Sequence, residues 1–140
     1  MAEWNKPLPQ MDPESKPFWE ACRRHELYLQ QCQACGTHYY YPRQTCPACL
    51  SSDVRWVKLS GRGQVYTFTV TYQHAGAGFR DHLPFVLGYV ELEGTNGVKM
   101  LTNIVDCEPQ SVTIGMPVQV TFVDVNEEIA IPLFKPMSDE

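Results

Sequence analysis

The sequence holds no apolar run near the roughly 20 residues that a membrane-spanning helix needs, so no segment reads as a span. Its start, Met1-Ala2-Glu3-Trp4-Asn5-Lys6-Pro7, lacks the basic-then-apolar pattern of a secretory leader. A cytoplasmic protein is the expectation. Positive charge is scarce: 11 Lys and Arg against 16 Asp and Glu leave a formal charge of −5. That balance disfavours non-specific binding to a phosphate backbone. Common catalytic signatures are also missing, with no G-x-S-x-G, no H-E-x-x-H and no Walker-type loop. Long helical periodicity is absent beyond the first 26 residues, which removes bundles and doubly wound sheets from consideration.

What remains is an ordinary globular composition, 44% hydrophobic and 19% charged, enough for one compact domain with a small module attached. Three regions emerge from local pattern. Residues 1–26 form an arm and a helix. Asp12-Pro13-Glu14 and Ser15-Lys16-Pro17 are both start signals, a capping side chain followed by proline. A helix from Pro13 or Ser15 to His25 places Phe18, Ala21, Cys22 and His25 on one face. Residues 27–59 are rich in cysteine, with short strands at Leu27–Gln31 and Val54–Val57. Residues 60–140 read as β structure. In 65–72, Tyr66, Phe68, Val70 and Tyr72 alternate with Val65, Thr67, Thr69 and Thr71, a period of two that assigns the aromatics to the core. Further strands fall at 85–93, 98–105, 117–125 and 128–134, with a tight hairpin at Gly94-Thr95-Asn96-Gly97. Five strands with glycine-rich turns and no helix between them suit an OB-fold barrel, with an SH3-like barrel as the alternative.

Cys32, Cys35, Cys46 and Cys49 have the spacing C-x2-C-x10-C-x2-C. Two residues between cysteines let a tight turn aim both thiolates at one ion, while turn N–H groups donate to the sulfurs. Two such knuckles supply the four-cysteine tetrahedron typical of one structural zinc ion. A rubredoxin-like iron site is the rival; Leu50 stands where a glycine often follows the second knuckle. His38 lies between the pairs and is a spare ligand. A closed four-cysteine site keeps no position for water or substrate, so this metal explains folding and not chemistry. Cys22 reads as a small buried hydrophobe, and Cys107 has no special neighbour.

No nucleophile–base pair is legible around His25, His38, His74 and His82. The long segment from Gln73 to Pro84 carries His74, Phe79, Arg80 and His82, and long connections of this kind often bind ligands or partners. Gly61-Arg62-Gly63 joins the ribbon to the barrel and offers Arg62 to an anionic group.

Several motifs in order resemble one family along nearly the whole chain: Lys16-Pro17-Phe18-Trp19, Leu29-Gln30-Gln31-Cys32-Gln33-Ala34-Cys35-Gly36, Tyr41-Pro42-Arg43 with Cys46-Pro47-Ala48-Cys49, Ser60-Gly61-Arg62-Gly63-Gln64-Val65-Tyr66, Pro84-Phe85-Val86, Ile114-Gly115-Met116-Pro117-Val118 and Pro132-Leu133-Phe134-Lys135-Pro136. These are the small proteins with an N-terminal helix, a rubredoxin-like zinc ribbon and a C-terminal OB-fold, long catalogued as a domain of unknown function. The resemblance implies a non-catalytic accessory subunit of a thiolase-type acyl-CoA enzyme, as in the small subunits of benzylsuccinate-pathway thiolases. It implies a thiolase-fold catalytic partner in a hetero-oligomer, two of each chain, with acyl-CoA at or near the interface. Arg62, His74, Phe79 and Arg80 are the candidate CoA or partner contacts. A single-stranded nucleic-acid-binding module and a rubredoxin-like electron carrier are the competing functions.

Overall fold

The computed structural model describes residues 8–73 and 83–137. The one α-helix among the described residues, α1 (Lys16–Arg23), begins where Asp12 and Ser15 bond reciprocally. Ser15 N–H donates to Asp12 Oδ1 at 2.8 Å, and Asp12 N–H donates to Ser15 Oγ at 3.2 Å. The Asp12 carbonyl also accepts from Lys16. The Lys16 N–H that opens the helix is thereby satisfied, and Pro17 sits where its missing N–H costs nothing. The helix buries Phe18, Trp19, Ala21 and Cys22. His25 does not join that face, contrary to the expectation from helical spacing. It lies past the helix end in the left-handed conformation, φ 62°, stacks on Phe122 with ring centroids 5.2 Å apart and sits 2.9 Å from Asp124.

A three-stranded antiparallel sheet comes next, in the order β2-β1-β3, from β1 (Tyr28–Cys32), β2 (His38–Tyr39) and β3 (Val54–Lys58). Five longer strands then close a barrel: β4 (Arg62–Thr71), β5 (Phe85–Leu92), β6 (Lys99–Ile104), β7 (Pro117–Asp124) and β8 (Ala130–Pro136), neighbours in the order β4-β5-β6-β8-β7. All barrel pairs are antiparallel except β6 with β8, and β4 closes on β7. That Greek-key order is the OB-fold topology, and the SH3-like alternative is set aside. A 3-10 turn at Pro109–Ser111 occupies the crossover between β6 and β7.

The core is continuous between ribbon and barrel. Phe18, Cys22, Leu27 and Leu29 pack in one cluster with Val65, Val90, Met100, Val118 and Phe134. Two glycines make the junction possible. Gly61 has φ 82°, and a Cβ there would meet Val120 Cγ1 at 2.6 Å; a Cβ on Gly63 would meet the Glu91 carbonyl at 2.5 Å.

The alternation over 65–72 does not bury Tyr66 or Tyr72. The register between β4 and β5 shifts between Val65 and Thr67, so Tyr66 is the extra residue of a bulge. Val65, opposite buried Val90, faces the core. Tyr66 is 51% exposed, with Lys99 Nζ 4.5 Å from its ring centroid, and Tyr72, beyond the strand end, is 61% exposed. Phe68 returns to the core side, opposite Gly88.

Candidate metal centre and neighbouring surfaces

The first knuckle hangs from β1, and the second lies in the connection between β2 and β3. The first leaves β1 at Cys32, whose N–H donates to Thr37, and turns at Gly36 (φ 80°), whose N–H donates to the Cys32 carbonyl. The second repeats the geometry between Cys46 and Leu50: Leu50 N–H donates to the Cys46 carbonyl, and Leu50 takes φ 66°. Both turns place an N–H against a ligand sulfur, Cys35 N at 3.4 Å from Cys32 Sγ and Ala48 N at 3.3 Å from Cys46 Sγ. These are the donors the C-x2-C spacing calls for.

The two turns bring Cys32, Cys35, Cys46 and Cys49 together with all four sulfurs within 4.8 Å of one another. Cys32 lies 3.6 Å from Cys49, and Cys35 lies 3.6 Å from Cys46. A tetrahedron with metal–sulfur bonds of about 2.3 Å has edges of about 3.8 Å, so the cluster has the size of a four-thiolate metal site. Cys32 and Cys46 are buried, and Cys35 and Cys49 reach the surface. The Thr37 hydroxyl, 3.1 Å from Cys35 Sγ, and the Thr37 backbone hold that thiol down at about 6. Cys49 accepts a lowering backbone hydrogen bond from Ser51, yet the crowding sulfurs of Cys32 and Cys35 push it up to about 12. Four sulfurs this close ionise together only around a cation. His38 is the first residue of β2 and is absent from the sulfur cluster. Cys22 is fully buried on α1, and burial raises its thiol to about 12. A nucleophile needs the opposite shift.

Of the expected ligand or partner contacts, His74, Phe79 and Arg80 lie outside the described residues, as does His82. Arg62 opens β4, exposed, at the mouth of a groove of about 400 Å3 that it shares with Gln64, Glu91, Glu93, Pro117 and Met137. Two carboxylates beside it make this a mixed-charge site. It stands in the barrel strand, and the metal site stands on the small sheet. Sequence reasoning missed the outer face of the barrel. Tyr66, Tyr89 and Leu101 are exposed there, Tyr89 sits opposite both Thr67 and Leu101, and Lys99 covers Tyr66. Tyr66 joins that face through the bulge, and no residue pattern marks the bulge.

Comparison with known proteins agrees with this architecture. Residues 19–55 match the family described as ChsH2, rubredoxin-like zinc ribbon domain, and residues 56–123 match ChsH2, C-terminal OB-fold domain. A DUF35 domain-containing scaffold protein of Methanocaldococcus jannaschii is 38% identical over 106 residues, covering 75% of this chain and 73% of that protein. A probable enoyl-CoA hydratase alpha subunit of Thermomonospora curvata is 34% identical over 131 residues; they are 94% of this chain, which spans 40% of that subunit's length. Among solved structures, a chain of the Ltp2-ChsH2(DUF35) aldolase superposes with a TM-score of 0.80 at 33% identity, covering 92% of this chain and 98% of that one. Helix, ribbon and barrel are thus matched in sequence and in space, and the chain belongs to the ChsH2/DUF35 family of rubredoxin-like zinc-ribbon and OB-fold proteins.

Proposed function

We propose that this chain is a non-catalytic accessory subunit of a thiolase-type acyl-CoA enzyme complex in the cytoplasm, clamped by one structural zinc ion per chain. The observation that carries the reading is the end-to-end likeness to the DUF35 chain of the Ltp2-ChsH2 aldolase. A closed four-sulfur site supports it, because such a site leaves no open position for substrate. Zinc is preferred to iron because two closed knuckles of cysteine are the usual structural zinc set. The catalytic groups belong to a thiolase-fold partner, in a complex of two copies of each chain, with acyl-CoA at or near the interface. Arg62, His74, Phe79 and Arg80 are the candidate contacts to CoA or partner. Arg62 supplies charge for a phosphate, offset in part by Glu91 and Glu93 beside its groove.

The test is co-purification of the tagged full chain from its native cells, with mass spectrometry of the captured proteins, metal analysis and titration of the assembled complex with CoA. A thiolase-fold protein held in equal ratio, and one zinc per chain, is the expected result. A thiolase-fold enzyme that is stable and fully active without this chain refutes it.

The exposed Tyr89, and Tyr66 beside Lys99, favour a second reading, a single-strand nucleic-acid module that stacks bases. The charge of −5 opposes it. Salt-dependent binding of an oligonucleotide, lost on Tyr66→Ala, would establish it in place of the first.

A further inference from the structure

The second cysteine knuckle ends in a residue that the fold itself does not call for. Leu50 closes the turn with φ 66°, a left-handed conformation that a Cβ disfavours and that glycine adopts freely. The corresponding residue of the first knuckle is Gly36, with φ 80°. Leu50 packs on little of its own chain, since 76% of its surface is exposed, the highest value among the large hydrophobic residues described. Backbone and solvation therefore both favour glycine over leucine here. The surrounding stretch is uncharged as well. From Gln44 to Ser52 the sequence carries no charged side chain of the Asp, Glu, Lys or Arg type, and Pro47, Ala48, Cys49 and Leu50 are all exposed. The tip is held by two ligand cysteines and by the Leu50-to-Cys46 hydrogen bond.

We infer that this knuckle is a pre-organised docking knob, with Leu50 its anchor, and that it seats in an apolar pocket of the thiolase-fold catalytic subunit. The inference rests on the function proposed above and names the surface that performs it. A tip without basic residues offers nothing to a phosphate backbone or to an anionic membrane. A rigid apolar anchor suits a protein pocket, because little ordering entropy is lost on binding. A strained backbone at an exposed apolar side chain is the kind of local cost that functional contacts retain. The solved relative is itself one chain of a two-protein aldolase.

The test compares the metal-loaded full chain with Leu50→Gly, Leu50→Glu and Leu50→Met. Each is titrated against the thiolase-fold subunit captured with the wild-type chain or, failing a capture, against Ltp2. Leu50→Gly should melt at the wild-type temperature or above and keep its metal, yet bind the subunit at least tenfold more weakly. Leu50→Glu should bind more weakly still, and Leu50→Met should restore most of the affinity. Affinity of Leu50→Gly within twofold of wild type overturns the inference and leaves the accessory-subunit reading standing. A fall in its melting temperature or metal content also overturns it, by making Leu50 structural. Loss of self-association with unchanged subunit binding assigns the knob to a second copy and overturns it as well. A wild-type chain that binds neither subunit overturns both proposals.

Discussion

Replacing Cys32 by alanine separates the two halves of the molecule. Cys32 is buried at the end of β1, and its sulfur is 3.6 Å from Cys49 and accepts the Cys35 N–H. Removing it leaves three sulfurs where the geometry needs four. Structural zinc in finger peptides contributes an apparent ~10–16 kcal/mol near neutral pH, as much as the whole stability of a domain, ~5–15 kcal/mol. The ribbon has little to set against that loss. Its sheet has strands of five, two and five residues, and Leu29 and Tyr39 are its main buried side chains besides the cysteines. Each supplies about 1.5–3 kcal/mol, against an ordering cost of about 1–2 kcal/mol for every residue fixed. The barrel is closed by β4 on β7 without any ribbon strand. Cys32→Ala should therefore lose its metal and melt the segment from Gln31 to Arg55, while β4 to β8 stay folded. Hydrogen exchange read residue by residue, with metal analysis, is the assay. Protection should vanish at Gln31 and Arg55 and persist at Val90 and Val120. Full metal content, or unchanged protection at Gln31, would refute the reasoning.

Other perturbations probe the core and the turns. Cys22 has its thiol raised from 9.0 to about 12 by burial, so the fold binds that proton more tightly than the unfolded chain does. Stability is unaffected by it below about pH 9 and falls as pH rises toward 12, by up to about 4 kcal/mol at 1.36 kcal/mol per unit; Cys22→Ala should abolish that part of the alkaline slope in denaturation curves. Gly88→Ala should cost about 1–3 kcal/mol in urea unfolding, because the new Cβ would lie 2.8 Å from the Thr67 carbonyl and 3.1 Å from Phe68 Cβ. Thr95 is buried in the β5–β6 turn, donating to the Leu92 carbonyl at 2.7 Å and accepting from Val98 N–H at 3.1 Å. Thr95→Val should cost about 1–3 kcal/mol and raise exchange at Val98. The exposed His25–Asp124 pair is half in solvent on both sides, so Asp124→Asn should change stability by no more than about 1 kcal/mol.

The cysteine spacing, the proline and capping signals before α1, and the turn glycines are local features, and local features survive in sequence. Gly94 and Gly97 mark the β5–β6 connection because their positive φ is a property of a single residue. The strands at 85–93 and 117–125 appear within a residue of their ends for the same reason, since alternation is read over neighbours. Tyr66 escaped, while Phe68 stayed in the core as expected, because one inserted residue flips the face of the preceding residues relative to those after it, and the bulge is set by pairing with β5. His25 escaped because the helix stops short of it and the side chain finds Phe122 and Asp124, about a hundred positions away.

The sequence by itself determined the metal cluster, since two C-x2-C turns aim four sulfurs wherever the chain is led. It also determined the number of barrel strands and the class of fold, both written in short-range periodicity. Only the tertiary structure decided which side chains look outward: Tyr66 and Tyr89 on the barrel, Leu50 at the knuckle tip, and Arg62 in a groove it shares with Glu91 and Glu93. Exposure depends on contacts between residues far apart in the chain, and no local pattern encodes those contacts.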